Sequence, residues 1–454
     1  MSEQRRITME LADWAGGLRF SDLSPEVVHQ SKRVILDYLA ATLVGSQADS
    51  ARIVQDYLGT IDTSDAATVY GTDLRLSAPN AALANGTATH GLEIDDGYTP
   101  GAYHPGGPNI SAILAAAETH GSSPEDVLLA TAIGFELSCR LAGAGHPQTW
   151  ANGFHNTPLA GVFGAAAGVA KLLGADAGQV ANALGLAGSH AGGLFEFLGQ
   201  GAEVKRLHAG KAARDGLVCA ELAVRGLTGP TTVFEGERGY IHAFVREGFK
   251  TDFMMDGLGS DWHVLRTYVK PYPCCRHLHG PIDAILAMQA EEPIDAADIQ
   301  SVEVETYLAA SRHGLANFGD FLDAQMSIPY AVAVTAIGGV PGLEQFGPEW
   351  RNDPDVARIA GSVSVSLAKD CDDDYPRMRP ARVRIHTSSG SRELRIDQPY
   401  GEPSNPVSDS DLDAKLLRLA GPIVGDDRCK RIIEETWSFE RPAELFTVLA
   451  GAGA

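Results

Sequence analysis

Uninterrupted apolar runs are scarce in this 454-residue sequence. A bilayer-spanning helix needs roughly 20 consecutive apolar residues. The best stretch, "VFGAAAGVAKLLG", is broken by Lys171, so no membrane partner is expected. The opening "MSEQRRITMELADW" carries charges of both signs and no apolar core, unlike a secretion signal, which makes a cytoplasmic location the default. Cysteine is sparse. The six cysteines, Cys139, Cys219, Cys274, Cys275, Cys371 and Cys429, make no dense disulfide framework and read as buried free thiols. Positive charge is also short, with 36 Lys and Arg against 58 Asp and Glu, a net charge of −22. Such a chain repels nucleic acid, so no nucleic-acid partner is expected. Neither a Walker-type phosphate loop nor a GxGxxG turn after a strand is present, which removes the commonest nucleotide sites. There are no short repeats and no low-complexity tract.

What is present reads first as helix. "SPEVVHQSKRVILDYLAATLVGS" has Ser24 as N-cap and Pro25 at the first helical position, apolar residues at helical spacing, and Gly45 as its end. "LAGVFGAAAGVAKLLG" and "DAGQVANALGLAGSHAGG" are rich in Ala and Gly and predict closely packed inner helices. After about residue 265 the pattern changes. "SVEVETYLA" and "SVSVSLA" alternate, and "ARVRIHTSSGSRELRID" reads as a hairpin around Ser-Ser-Gly. Helical stretches such as "GPIDAILAMQAEE" and "SIPYAVAVTAIGG" lie between them, and Asp409–Ala420 and Asp427–Trp437 return to helix. A chain this long exceeds one core. The expected organisation is mostly α with an α+β second domain: a large helical domain from residues 1–265 and 403–454, and a smaller α+β lid domain from residues 266–402.

Four stretches carry candidate chemistry. "NGTATHGLEIDDGYTPGAYHPGG" gathers Glu93, Asp95, Asp96 and His104 where a helix gives way to a Gly- and Pro-rich loop, a setting for acid–base work or simply for capping. EF-hand spacing is not met there. In "NGFHNTP", His155 precedes a helix whose N-terminus disfavours the imidazolium; the alternative is a capping or core histidine. "GQGAEVKRLHAGKAARDG" concentrates Lys205, Arg206, His208, Lys211 and Arg214, with Lys205 and His208 on one helical face. A solvated basic face is the plain explanation, but the flanks look buried. "KPYPCCRHLHG" holds Lys270, Cys274, Cys275, Arg276, His277 and His279. It lacks the C-x-x-C or H-E-x-x-H partner of a zinc site, and a reactive cysteine would need a neighbouring base. Its cations suit a carboxylate better.

Together these stretches, with "LDYLAATLVGS" and "SIPY", run in the order found in the MmgE/PrpD family, which this chain resembles over most of its length. That family includes 2-methylcitrate dehydratases, cis-aconitate decarboxylases and an iminodisuccinate epimerase. The resemblance implies a homodimer without metal, flavin or nucleotide, acting on a small anionic carboxylate. It places His104, His155, Lys205, Lys270 and Tyr330 on catalytic positions, and the acidic stretch with Glu93, Asp95 and Asp96 corresponds as well. Beside it, the residue types themselves make His208, Arg276, His277 and His279 candidate substrate contacts, the last three alternatively tying the lid down. Three departures stand out: Glu93 where the decarboxylases have Asp, Gly97 where they have Thr, and a loop one residue longer before His104. The implied activity is a cofactor-independent lyase, foremost a dehydratase of a hydroxylated di- or tricarboxylate. An epimerase and a decarboxylase are the nearest alternatives. A carboxylate-binding module without catalysis and a zinc hydrolase come from other classes.

Overall fold

The computed structural model describes residues 5–199 and 202–450. Met1–Gln4 of the opening stretch, and Gln200 and Gly201 of the basic stretch, lie outside the described residues. The chain divides into two compact units, Met1–Tyr268 with Ser408–Ala454, and Val269–Val407.

The first unit is built of helices. Pro25–Gly45 starts as its sequence dictates: the Ser24 hydroxyl accepts from the Val27 N–H at 3.3 Å, and Pro25 occupies the first turn. The inner helices are Ala78–Thr89, Gly106–His120, Asn156–Leu172 and Val204–Val224, all rich in small residues. Their glycines let backbones touch. A Cβ at Gly86 would sit 2.7 Å from the Gly210 Cα, one at Gly210 would overlap the Leu83 carbonyl, and one at Gly216 would lie 2.6 Å from the Ala165 Cβ. The returning helices Asp409–Val424 and Asp426–Ser438 belong to this unit.

One expectation needs correcting. Helix Pro124–Gly145, not the stretch around Lys171, is the most apolar long segment, and by length and composition it could cross a membrane. Here its apolar window is entirely buried within the protein. Its polar residues are satisfied internally: Glu136 pairs with Arg140, whose guanidinium donates to the Asp256 and Asp261 carbonyls, each at 2.7 Å. Buried charge is tolerated when it is paired and hydrogen-bonded in this way.

The second unit holds a four-stranded sheet in the order Val363–Leu367, Ile299–Thr306, Ala381–Thr387, Gly390–Ile396. The first pair is parallel and the others antiparallel. The last two strands form the hairpin that the Ser-Ser-Gly turn predicts. On the central strand Val302, Val304 and Thr306 all point inward, as their period-2 spacing requires. Helices His279–Glu291 and Ile328–Gly338 supply Ile282, Ile285 and Val332 to the same core.

Gly210→Ala should destabilise the protein by about 1–3 kcal/mol, because the new methyl meets backbone that cannot move aside. Gly59→Ala, on the exposed face of helix Asp49–Ile61 with its nearest neighbour 3.7 Å away, should be neutral or mildly stabilising. Urea midpoints of the two variants check this.

Candidate active site

Helix Ala78–Thr89 stops at His90, and the chain turns through Glu93, whose φ of 56° is unusual for a residue with a Cβ. Glu93 is buried, and its carboxylate takes ion pairs from Lys205 and Arg206 at the start of helix Val204–Val224. The Arg206 guanidinium also donates to the His90 carbonyl at 3.0 Å. These bonds hold the left-handed turn and bring the acidic and basic stretches together.

Around that junction sits a cluster of imidazoles and carboxylates. His90 Nδ1 lies 2.7 Å and His104 Nδ1 3.3 Å from the same Asp95 oxygen, Oδ2. His104 Nδ1 is also 2.7 Å from the Asp96 carbonyl oxygen. A carbonyl only accepts, so the His104 proton resides on Nδ1 and Nε2 keeps its lone pair. Asp96 Oδ1 accepts from the Gly106 N–H at 3.0 Å. Burial, with the charges of Asp37 and Asp95, pushes the Asp96 carboxyl well above its usual range. Beneath it Lys415, from the returning C-terminal helix, donates to Asp37 Oδ1 at 2.5 Å and to the Ile94 carbonyl at 2.9 Å.

On the other side His155 Nδ1 and His208 Nδ1 are 2.9 Å apart, so one ring donates and the other accepts. His155 precedes helix Asn156–Leu172 and is walled by Phe195 and Phe197. Burial, and then the neighbouring His90 and His208, hold it well below the ordinary histidine range. His208 is lowered to about 4 by burial, His90 and Lys211. His90 is lowered by burial as well, with Asp95 opposing. The ligand-type atoms of His90, Asp95 and His104 fall within 4.8 Å of one another. Nδ1 of both rings lies within reach of one carboxylate oxygen, Asp95 Oδ2. The arrangement is a hydrogen-bonded acid–base cluster.

The remaining expected site residues lie in the α+β unit and form a second group. Lys270 is buried, and its charge helps depress His277 and His279, in both of which burial is the larger cause. Arg276 spends its donors internally: on Glu402 at 2.9 Å, His279 Nδ1 at 2.8 Å, and the Tyr400 and Pro399 carbonyls at 2.9 and 3.2 Å. These bonds tie Arg276 and His279 together within the α+β unit, the lid-tying arrangement that the sequence allowed beside a substrate contact. Tyr330 lies inside the hydrophobic core between Phe318 and Phe346, and its hydroxyl donates to the Gln345 carbonyl at 2.6 Å. That proton is already committed.

Several site residues escaped the sequence reading. Arg206 sat within the basic stretch but looked like part of a charged face. Asp37 had a visible signal, an acid among Leu36, Tyr38 and Leu39 on a buried helix face. Lys415, its partner from 378 residues away, had none. His90 counts among the residues of the acidic stretch, which assigned it no role of its own.

The sequence profile of the MmgE/PrpD N-terminal domain matches residues 9–252, and that of the C-terminal domain matches residues 272–439. The chain belongs to the MmgE/PrpD family. Among its relatives, a cis-aconitate decarboxylase of Aspergillus terreus is 28% identical over 98% of this chain and 95% of its own length. Cis-aconitate decarboxylases of Homo sapiens and Mus musculus are 27% and 26% identical, over 98% and 94% of this chain and 95% and 90% of their own lengths. One departure from the family pattern now has a physical setting. A Cβ at Gly97 would overlap the Tyr268 ring, whose backbone exchanges hydrogen bonds with Gly97 at 2.8 and 3.1 Å. A larger residue at 97 and this position of the Tyr268 ring are mutually exclusive.

The low His208 pKa has a consequence for stability. The unfolded chain binds a proton there near pH 6.5, whereas the folded protein does so only near about 4. Between those values the unfolded state holds more protons, so stability should fall as pH drops from about 6.5 towards about 4. His208→Gln should flatten that slope in urea titrations run across the window.

Proposed function

We propose that this protein is a lyase acting on a di- or tricarboxylate, foremost a dehydratase, through proton transfer at a carbon next to a carboxylate. The observation that carries the reading is His104. Its Nδ1–H is tied to the Asp96 carbonyl, the Asp95 carboxylate stands 3.3 Å away, and Nε2 is the nitrogen that would act as the base. When Nε2 takes a proton, the resulting imidazolium is stabilised by Asp95. The same logic orients general-base histidines elsewhere. Negative charge that builds on the substrate carboxylate then needs a cation, and Lys205 is the one assigned to it. One well-placed donor is worth roughly 3 kcal/mol in the transition state. His155, hydrogen-bonded to His208, would give a proton from Nε2 to the departing hydroxyl, so that it leaves as water, and would recover a proton from the His104 imidazolium through solvent. Lys270 is a second candidate for the substrate's carboxylates.

Decarboxylation is the second reading, favoured by the names of the relatives above. Gly97, where the resemblance sets a Thr in decarboxylases, speaks for dehydration as the leading one, because the Tyr268 ring takes up that space.

A panel of hydroxylated and unsaturated di- and tricarboxylates in deuterated water, followed by NMR, tests both. Dehydration or hydration of one acid, with deuterium entering next to a carboxylate, is the expected result. Release of carbon dioxide instead would establish the second reading. No turnover and no exchange across the panel would leave a carboxylate-binding protein. His104→Ala and Lys205→Ala should each lower the rate by about a hundredfold or more. Near-normal turnover would remove that residue from the mechanism.

A further inference from the structure

The α+β unit gathers a second group of reactive side chains, which the acid–base reading does not use. One ligand-type atom each from Cys275, His277 and His313 lie within 4.8 Å of one another. Cys275 Sγ is 3.9 Å from His313 Nε2. Zinc bonds to sulfur and nitrogen of about 2.3 and 2.0–2.1 Å set tetrahedral ligands only slightly closer together than this.

The backbone holds these residues in place. The Cys275 N–H donates to the Gln325 carbonyl at 2.9 Å, and the His313 carbonyl accepts from the Ile328 N–H at 2.9 Å. The tautomer of His313 is also fixed. Its Nδ1 lies 2.9 Å from the Met326 carbonyl oxygen, so the proton sits on Nδ1 and the Nε2 lone pair faces the sulfur. His277 stacks on His313 with ring centroids 5.4 Å apart, and its Nδ1 is 2.6 Å from the Tyr307 hydroxyl. Tyr307 is in turn stacked on Tyr375 at 4.3 Å. Imidazoles that ligate metals are oriented by such outer partners on the other ring nitrogen. The nearest guanidinium, Arg379, lies 3.4 Å from His277 Nδ1, and its charge is offset by Glu402 at 3.3 Å. All three ligand residues are half-buried rather than sealed in the core.

We propose that Cys275, His277 and His313 form a binding site for a thiophilic divalent cation of the zinc class, with a fourth position open to water. On binding, the Cys275 thiol loses its proton to solvent, a sulfur–metal bond forms, and each imidazole contributes one lone pair. The sequence offered only two of the ligands together. His313 arrives from a loop 38 residues beyond Cys275, which is why spacing alone gave no zinc pattern.

Cobalt(II) is the probe, added to the full chain. A near-ultraviolet thiolate-to-cobalt band that saturates at one equivalent and is displaced by zinc(II) is expected. Cys275→Ser should abolish the band. Tyr307→Phe keeps all three ligands and should weaken cobalt binding by roughly 10- to 100-fold. Cobalt binding without the band, or a band that survives Cys275→Ser, would overturn the site; the His90, Asp95 and His104 cluster has no sulfur and cannot produce it. A readout without any variant is alkylation of Cys275 by iodoacetamide, followed by peptide mass spectrometry. One equivalent of zinc(II) should protect the thiol, and undiminished alkylation would overturn the proposal.

Discussion

The contact between Gly86 and Gly210 is the constraint on which the candidate active site depends. A Cβ on either glycine would strike the other helix's backbone, so these two helices meet main chain to main chain. They run antiparallel: four residues beyond Gly86 the His90 carbonyl accepts from Arg206, which stands four residues before Gly210. The close approach therefore sets the end of one helix, with its acids and histidines, against the start of the other, with its cations. Side-chain packing at ordinary interhelical distances of about 8–10 Å would hold these groups further apart.

That register explains Glu93. A buried carboxylate in a left-handed turn is costly on both counts, since desolvation and backbone strain each disfavour it. It is stable because two cations converge on it and one of them, Arg206, also binds the adjacent main chain. A shorter acid at this position would be hard pressed to reach both cations from the same turn. The group as a whole, Lys205, Arg206 and Glu93, carries one net positive charge, and Lys205 belongs both to the turn and to the proposed chemistry.

Local chemistry was legible in the sequence wherever it lay within one segment. The Ser24 cap, the Ser-Ser-Gly hairpin, the small-residue helices and the run from Glu93 to His104 are all short-range patterns, and each is written in consecutive residues. Pairings made only by the fold were not legible. Lys415 reaches Asp37, His208 meets His155, and His313 meets Cys275 across distances in sequence that no spacing rule spans. Two of the expected site residues make their hydrogen bonds inside the α+β unit. Arg276 ties main-chain carbonyls and Glu402, and Tyr330 donates into its own core. Residue type identifies what a side chain can do, while hydrogen bonding decides what is left for it to do.

The overall charge poses the remaining physical question. A chain with a formal charge of −22 should repel an anionic carboxylate. The acids at the candidate site do not act as a field of that sign. Burial and its two acidic neighbours push the Asp96 carboxyl well above its usual range. Asp37 is likewise pushed up by burial, and Lys415 is its direct partner. Glu93 is outnumbered by its cations, and Asp95 is shared between two imidazoles. Each carboxyl is raised by burial, paired or hydrogen-bonded, and Lys205 is the cation proposed to meet the substrate. Exposed surface acids add a diffuse potential that salt screens over about 8–10 Å, whereas a buried cation a few ångströms from the substrate is screened far less. Short-range electrostatics therefore let a single cation act on a nearby anionic group inside an acidic protein.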